Sequence, residues 1–287
     1  MIFLNETTNP IIARKEVTQH ILKRFNIRAA KKLGQNFLID PQVVEDIANA
    51  AVEEDGERIL EVGPGIGTLT QGLLQVGGNV TAVELDTRLI KVLEETMEGY
   101  ENLRIIHGDI LKVDVPTLMG SEPFTVAANL PYYITTPILM HFLESRLPIK
   151  RMITMVQKEV ALRMVAKPGG KDYGSLSVAI QYWTEPEIVR HVPASSFIPA
   201  PEVESAVVCC TVREKPPVEA EPKMFFRVVK ASFAQRRKTV FNSLQSGGFT
   251  KEEVRAALEK AGIDGQRRGE TLSLQEFSNL AMIFSAM

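Results

Sequence analysis

Cysteine is nearly absent, with two in 287 residues, adjacent at Cys209 and Cys210. Neighbours in a strand point to opposite faces, so both read as packing residues. A disulfide framework is excluded, and a reducing, cytoplasmic setting fits. Long apolar runs are missing too. Nothing approaches the roughly 18 consecutive apolar residues of a transmembrane helix, so no membrane association is expected. The N-terminus lacks an apolar segment followed by a cleavage site, which argues against secretion. Neither charge sign dominates overall, 33 Lys and Arg standing against 35 Asp and Glu.

The distribution of charge is uneven. Residues 1–32 carry seven basic side chains against two acidic ones, 33–213 fourteen against twenty-four, and 214–287 twelve against nine. Basic ends around an acidic middle point to a polyanion gripped from two sides.

What is present centres on Ile59-Leu60-Glu61-Val62-Gly63-Pro64-Gly65-Ile66-Gly67-Thr68-Leu69-Thr70. A short apolar run, glycines at every second position and a following helical pattern read as a buried strand, a tight turn and a helix start. Glycine lets a ligand lie against the backbone there. The dinucleotide fingerprint G-x-G-x-x-G does not fit, because Thr68 stands where its last glycine belongs. No G-K-[ST] follows, so a P-loop is excluded as well. Gly-x-Gly-x-Gly preceded by Glu61 resembles the first motif of S-adenosylmethionine-dependent methyltransferases, whose ligand has no pyrophosphate.

Further strands are expected at 79–83, 103–107, 124–128 and 149–157, with helices at 69–76, 86–97 and 158–166. This alternation predicts an α/β, doubly wound parallel sheet of Rossmann type, with a small all-helical C-terminal domain. Ligands of such sheets sit at the carboxyl ends of the strands. Gly63, Glu84, Asp109 and Asn129 each fall at such an end, and Glu84 suits ribose hydroxyls.

Asn129-Leu130-Pro131-Tyr132 carries the most chemistry. Adenine N6 is a poor nucleophile because its lone pair is delocalised into the ring. Acceptors for both N6 hydrogens draw the nitrogen towards tetrahedral geometry and free that lone pair. The Asn129 side-chain carbonyl can be one acceptor and the Leu130 or Pro131 backbone carbonyl the other, while Pro131 stiffens the loop. Tyr132 can stack on the base, with Phe197 from a proline-bracketed loop on its second face. The alternative reading of Phe197 is a buried hydrophobic anchor.

Four segments are expected. Residues 1–30 form a basic extension with a short amphipathic helix, docked on the body or on a partner. Residues 31–213 form the methyltransferase domain. Residues 214–222, rich in proline and charge, form a linker, and 223–287 form a helical RNA-binding domain. In that last domain Arg227, Lys230, Arg236, Arg237 and Lys238 build a phosphate-neutralising surface. Thr250 with Glu253, and Ser273 with Glu276, have capping-box spacing. The loop 167–175 could clamp substrate or merely connect.

Residues 33–38, 61–70, 129–132, 197–205 and 233–244 occur together in an order that resembles the bacterial 16S ribosomal RNA adenine dimethyltransferases, the kasugamycin-sensitivity enzymes. The resemblance covers residues 31–287, with the first thirty an apparent addition. It implies dimethylation of N6 of two adjacent adenosines in the 3′-terminal hairpin loop of 16S rRNA in the 30S particle, and a role in small-subunit biogenesis. It implies S-adenosylmethionine as methyl donor, no metal, and a monomer. The implied cofactor contacts are Asn36, Leu38, Gly63, Gly65, Glu84, Asp109 and Asn129, with Asp109 on the cofactor adenine. Asn129, Pro131, Tyr132 and Phe197 are the implied catalytic residues around the target adenine. Three alternatives stay open: a 23S rRNA methyltransferase of the macrolide-resistance type, a DNA adenine methyltransferase, and an assembly factor whose methylation is incidental.

Overall fold

The computed structural model describes residues 10–29, 34–129, 134–235 and 237–287. They fall into two compact units. One holds the described residues up to Lys158 together with Glu187–Val212, the other Glu159–Pro186 together with Arg213–Met287.

The first unit opens with α1 (Lys15–Arg24), β1 (Phe37–Leu38) and α2 (Pro41–Ala51). Then come β2 (Arg58–Val62), α3 (Thr68–Gln75), β3 (Asn79–Glu84), α4 (Thr87–Thr96) and β4 (Leu103–His107). After these come α5 (Val115–Met119), β5 (Phe124–Asn129), α6 (Thr135–Glu144) and β6 (Ile149–Gln157). Two helices, α7 (Lys158–Val165) and α8 (Ser175–Trp183), precede the strands β7 (Thr184–Val192), β8 (Phe197–Ile198) and β9 (Ser205–Val212).

Among the described residues the main sheet has the order β4-β3-β2-β5-β6-β9-β7. From β4 to β6 neighbouring strands are parallel. The chain moves outward one way through β2, β3 and β4, then returns to the other side of β2 with β5. That reversal leaves a crevice beyond the carboxyl ends of β2 and β5, where no crossover covers the sheet. The sheet is not wholly parallel as expected, since β9 runs antiparallel to β6. The connection from β7 to β9 carries no crossover α-helix, which a parallel return would require.

Helix α2 starts as its sequence dictates, with the Asp40 carboxylate accepting the Gln42 and Val43 N–H groups and Pro41 in the first turn. The first thirty residues are no detached addition where they are described. Ile12, Ala13 and Ile21 belong to the same buried core as Ile47, Leu73, Leu93 and Ile153. The apolar face of α1 is satisfied by the body of the protein.

The second unit contains α7, α8, α9 (Pro222–Phe233), α10 (Val240–Ser246), α11 (Lys251–Ala261) and α12 (Leu274–Ser285). Its core joins Tyr182 of α8 to Phe225 and Val229 of α9 and Phe277 of α12. Both expected capping boxes form, at Thr250 with Glu253 and at Ser273 with Glu276. The helical unit also takes in Glu159–Pro186, from inside the segment expected to be the methyltransferase domain. Helix α8 lies with the helical unit because its apolar face is buried there. The segment 214–222 is not a free linker: Ala220 is buried and donates its N–H to Ser278 Oγ at 3.2 Å, and Glu221 caps α9.

Candidate methyl-donor and base site

Gly63 and Gly65 follow β2 with φ of +67° and +64°, and Gly67 with +90°. L side chains rarely adopt these angles, so the alternate glycines permit the turn. A Cβ on Gly63 would meet no atom within 4 Å, and one on Gly65 only Phe37 Cε1 at 4.0 Å. Backbone is thus bared to open space. At Gly67 the constraint is packing, because a Cβ would lie 2.8 Å from Met97 Cε.

The tip of β3 is tied to this turn. Glu84 Oε2 accepts the Gly65 N–H at 3.0 Å and Oε1 accepts the Asp86 N–H at 2.8 Å. Burial raises the Glu84 pKa against these bonds. Asp86 caps α4 and takes the Arg88 guanidinium and the Gln35 amide, the latter at 3.1 Å, which holds its pKa at about 2. Gln35 thereby anchors the 34–38 loop to the rim of the crevice.

The 34–38 loop is also fastened from the far end of the unit. β1 pairs antiparallel with β8, setting Leu38 opposite Phe197. Asp40 Oδ2 accepts the Ser196 hydroxyl at 2.8 Å, and Ser196 O accepts the Ile39 N–H at 2.8 Å. Phe197 is 4% exposed. It is a buried anchor of this ribbon that also lines the crevice.

One crevice is lined by Asn36, Leu38, Gly63, Gly65, Glu84, Asp109, Asn129 and Phe197. The structure therefore brings together every expected cofactor residue and two of the four expected catalytic ones. Pro131 and Tyr132 lie outside the described residues, as does Arg236 of the basic run. Sequence reasoning passed over Gln35's anchoring role and Ile138 of α6, a further lining residue. The Gln-Asn amide pair was the available signal for the first. A single apolar residue on a helix gave none for the second.

Charge decides what this crevice can hold. Its described lining includes the carboxylates Glu84 and Asp109 and no Lys, Arg or His. Lys112 pairs with Asp109 at 3.3 Å but is itself largely solvent-exposed. Such a lining disfavours a pyrophosphate and suits a cationic ligand with ribose and amide donors. The bared glycine backbone, the two carboxylates and the absence of cations among the described lining residues all fit S-adenosylmethionine. Behind the turn, Glu61 is 1% exposed, and burial pushes its pKa up to about 8; Thr70 beside it opposes the shift and the Glu84 charge adds to it. Among the described residues no group of three or more His, Cys, Asp and Glu side chains is placed to hold a metal ion. No helix among them is long and apolar enough to cross a membrane.

Comparison with known proteins gives a consistent result. The sequence model described as "Ribosomal RNA adenine dimethylase" matches residues 26–285. Ribosomal RNA small subunit methyltransferase A of Geobacillus sp. (strain WCH70) is 49% identical over 284 residues, covering 95% of this chain and 97% of that protein. The protein of the same name from Moorella thermoacetica is 51% identical over 261 residues, covering 88% and 91%. With 95% of the chain matched, the first thirty residues cannot as a whole be an addition to the family pattern. Among solved structures, a dimethyladenosine transferase from Plasmodium falciparum superposes with a TM-score of 0.73 at 26% identity, covering 87% of this chain and 98% of that one. The 23S rRNA methyltransferase ErmE gives 0.68 at 29% identity, covering 87% and 100%. Both likenesses support a Rossmann-like methyltransferase fold with an added helical part.

Proposed function

The chain belongs to the ribosomal RNA adenine dimethylase family and is an S-adenosylmethionine-dependent enzyme of that kind; we propose that it dimethylates N6 of two adjacent adenosines in the 3′-terminal hairpin loop of 16S rRNA within the 30S particle. The observation that carries the donor half of this reading is a crevice with no cation among its described lining residues and with Glu84 beside two bared glycines. The substrate half rests on relatives near 50% identity named for the small subunit. The likeness to a 23S rRNA enzyme is looser, at 29% identity. The protein acts as a cytoplasmic monomer in this reading.

When bound, the donor supplies an electrophilic methyl group on a sulfonium. Gly63, Gly65, Asn36 and Leu38 would hold the donor, Glu84 would accept from its ribose hydroxyls, and Asp109 would accept from its adenine amine. At the tip of β5 the Asn129 carbonyl accepts one N6 hydrogen of the target base, and the 130–131 backbone accepts the other. Tyr132 and Phe197 hold the ring. The chain contributes alignment and exclusion of water rather than a covalent intermediate. In the second unit, exposed Arg237 and Lys238 with Arg236 meet RNA phosphates.

The test is methyl incorporation from labelled donor into immature 30S particles, with 50S precursors alongside and nucleoside analysis of the product. Dimethyladenosine confined to 30S RNA is expected. Label in 50S RNA would move the assignment to the 23S type, and no label in either would favour an assembly factor.

A further inference from the structure

The N-terminal segment reaches the back of the glycine turn by two routes. Along the first, Ile11 and Ala13 share a cavity wall with Val44 and Ala48 of α2 and Gln71 and Gly72 of α3. Gln71 is 2% exposed. Its Oε1 accepts the Ile12 N–H at 2.8 Å and its Nε2 donates to the Pro10 carbonyl at 3.0 Å. Thr18 of α1 then donates its hydroxyl to the Ile12 carbonyl at 2.6 Å. Along the second route, Arg24 at the end of α1 pairs with Glu95 of α4 at 2.5 Å. The next residue, Thr96, donates its hydroxyl to the Ile66 carbonyl inside the glycine turn at 3.2 Å.

These contacts converge on one helix start. Thr68, the first residue of α3, lines both the donor crevice and a second cavity that Ile11 and Ala13 of the N-terminal segment border. Helix α3 has no slack towards α2, since a Cβ on Gly72 would lie 2.4 Å from Val44 Cγ1. With α2 fixing that side, the freedom left to α3 is set by what packs on its other sides. Gln71 of α3 grips the described part of the segment from both directions, as acceptor and as donor.

We propose that Gln71 is a positioning residue for the methyl-donor site: by clamping Pro10–Ile12 it fixes the first turn of α3 and so the glycine turn that receives the donor. The N-terminal segment is then a working part of cofactor binding although none of its described residues lines the crevice. The inference rests on the crevice being the S-adenosylmethionine site. It assigns Gln71 no contact with either substrate.

The test uses the full chain and calorimetry with S-adenosylhomocysteine, beside thermal melting and steady-state kinetics. Gln71→Ala leaves the Ile12 N–H and the Pro10 carbonyl without partners, so the segment loosens. Donor-product affinity and the KM for donor should worsen about 10-fold, with kcat at saturating donor held within about 2-fold. Thr18→Val, which removes only the outer hydrogen bond, should weaken affinity about 3-fold. Ser278→Ala in the helical unit is the control. It removes the buried acceptor of the Ala220 N–H, and should lower Tm with affinity unchanged. A folded Gln71→Ala protein with wild-type affinity overturns the proposal. If that variant does not fold, unchanged affinity in Thr18→Val overturns it instead. Wild-type protein that fails to bind S-adenosylhomocysteine would sink the donor-site reading itself, a result distinct from equal binding by wild type and variant.

Discussion

Glu84 and Gly65 are joined by a hydrogen bond of 3.0 Å from backbone N–H to carboxylate. It ties the tip of β3 to the middle of the glycine turn, so one side chain both shapes the turn and faces the crevice. Glu84→Gln keeps one oxygen for the Gly65 N–H at nearly the same volume but turns its NH2 towards the Asp86 N–H, so the fold should persist with some loss of stability. The charged acceptor for ribose hydroxyls is lost. Hydrogen bonds to a charged group contribute about 1.5–3 kcal/mol, so S-adenosylhomocysteine affinity should fall on the order of 10- to 100-fold. Calorimetry giving wild-type affinity would remove Glu84 from the donor site.

Phe197 makes a different kind of prediction because it is buried in the β1–β8 ribbon as well as lining the crevice. Phe197→Ala should cost about 3–5 kcal/mol of stability through the cavity it leaves. That variant would confuse unfolding with loss of stacking. Phe197→Leu fills most of the space and should cost less than about 1.5 kcal/mol. Urea unfolding checks the first expectation. Turnover of the folded Leu variant isolates the aromatic ring, and an undiminished kcat would leave Phe197 as a structural anchor alone.

Much of the donor site was legible because parallel strands announce themselves. β2, β3, β4 and β5 are short apolar runs whose last residues are followed by turn formers, and the switch-point rule then brings their tips together. Pairing between distant segments was not legible. Nothing in Phe37-Leu38 indicates that it hydrogen-bonds to Phe197-Ile198, because two-residue strands have too little pattern to specify a partner. The edge strand Thr184–Val192 was hidden for a physical reason. Pro186 interrupts it, and proline is tolerated in a sheet at an edge, where β7 lies. The excursion of residues 159–186 into the helical unit was not legible either. The chain leaves the sheet unit at Lys158 and returns at Glu187 with no change of composition.

The basic run after α9 should make RNA binding salt-sensitive. Arg237 and Lys238 are exposed in the second unit, and each phosphate they neutralise releases counterion. Arg236→Ala with Arg237→Ala should reduce the slope of log affinity against log salt by about 1.5–2. Donor affinity should not change, because the crevice lies wholly in the first unit. Filter binding of 16S RNA fragments across a salt series measures the slope. A slope equal to that of wild type would place RNA contact elsewhere.

Glu61 gives the pH prediction. Its carboxyl is buried behind the glycine turn, Oε2 has no hydrogen-bond partner among the described residues, and its pKa stands at about 8 against an ordinary 4.5. Between those values the folded protein holds a proton that the unfolded chain has released. Unfolding therefore becomes easier as pH rises through that window, and the loss levels off above pH 8. Each unit of such a shift corresponds to about 1.4 kcal/mol, so the full effect is on the order of a few kcal/mol. Glu61→Gln replaces the neutral acid with a neutral amide of the same shape and has no proton to release. Its stability should match wild type near pH 5 and exceed it near pH 8.5. Urea midpoints measured from pH 5 to pH 9 test this, and parallel curves for the two proteins would mean that Glu61 is ionised in the fold.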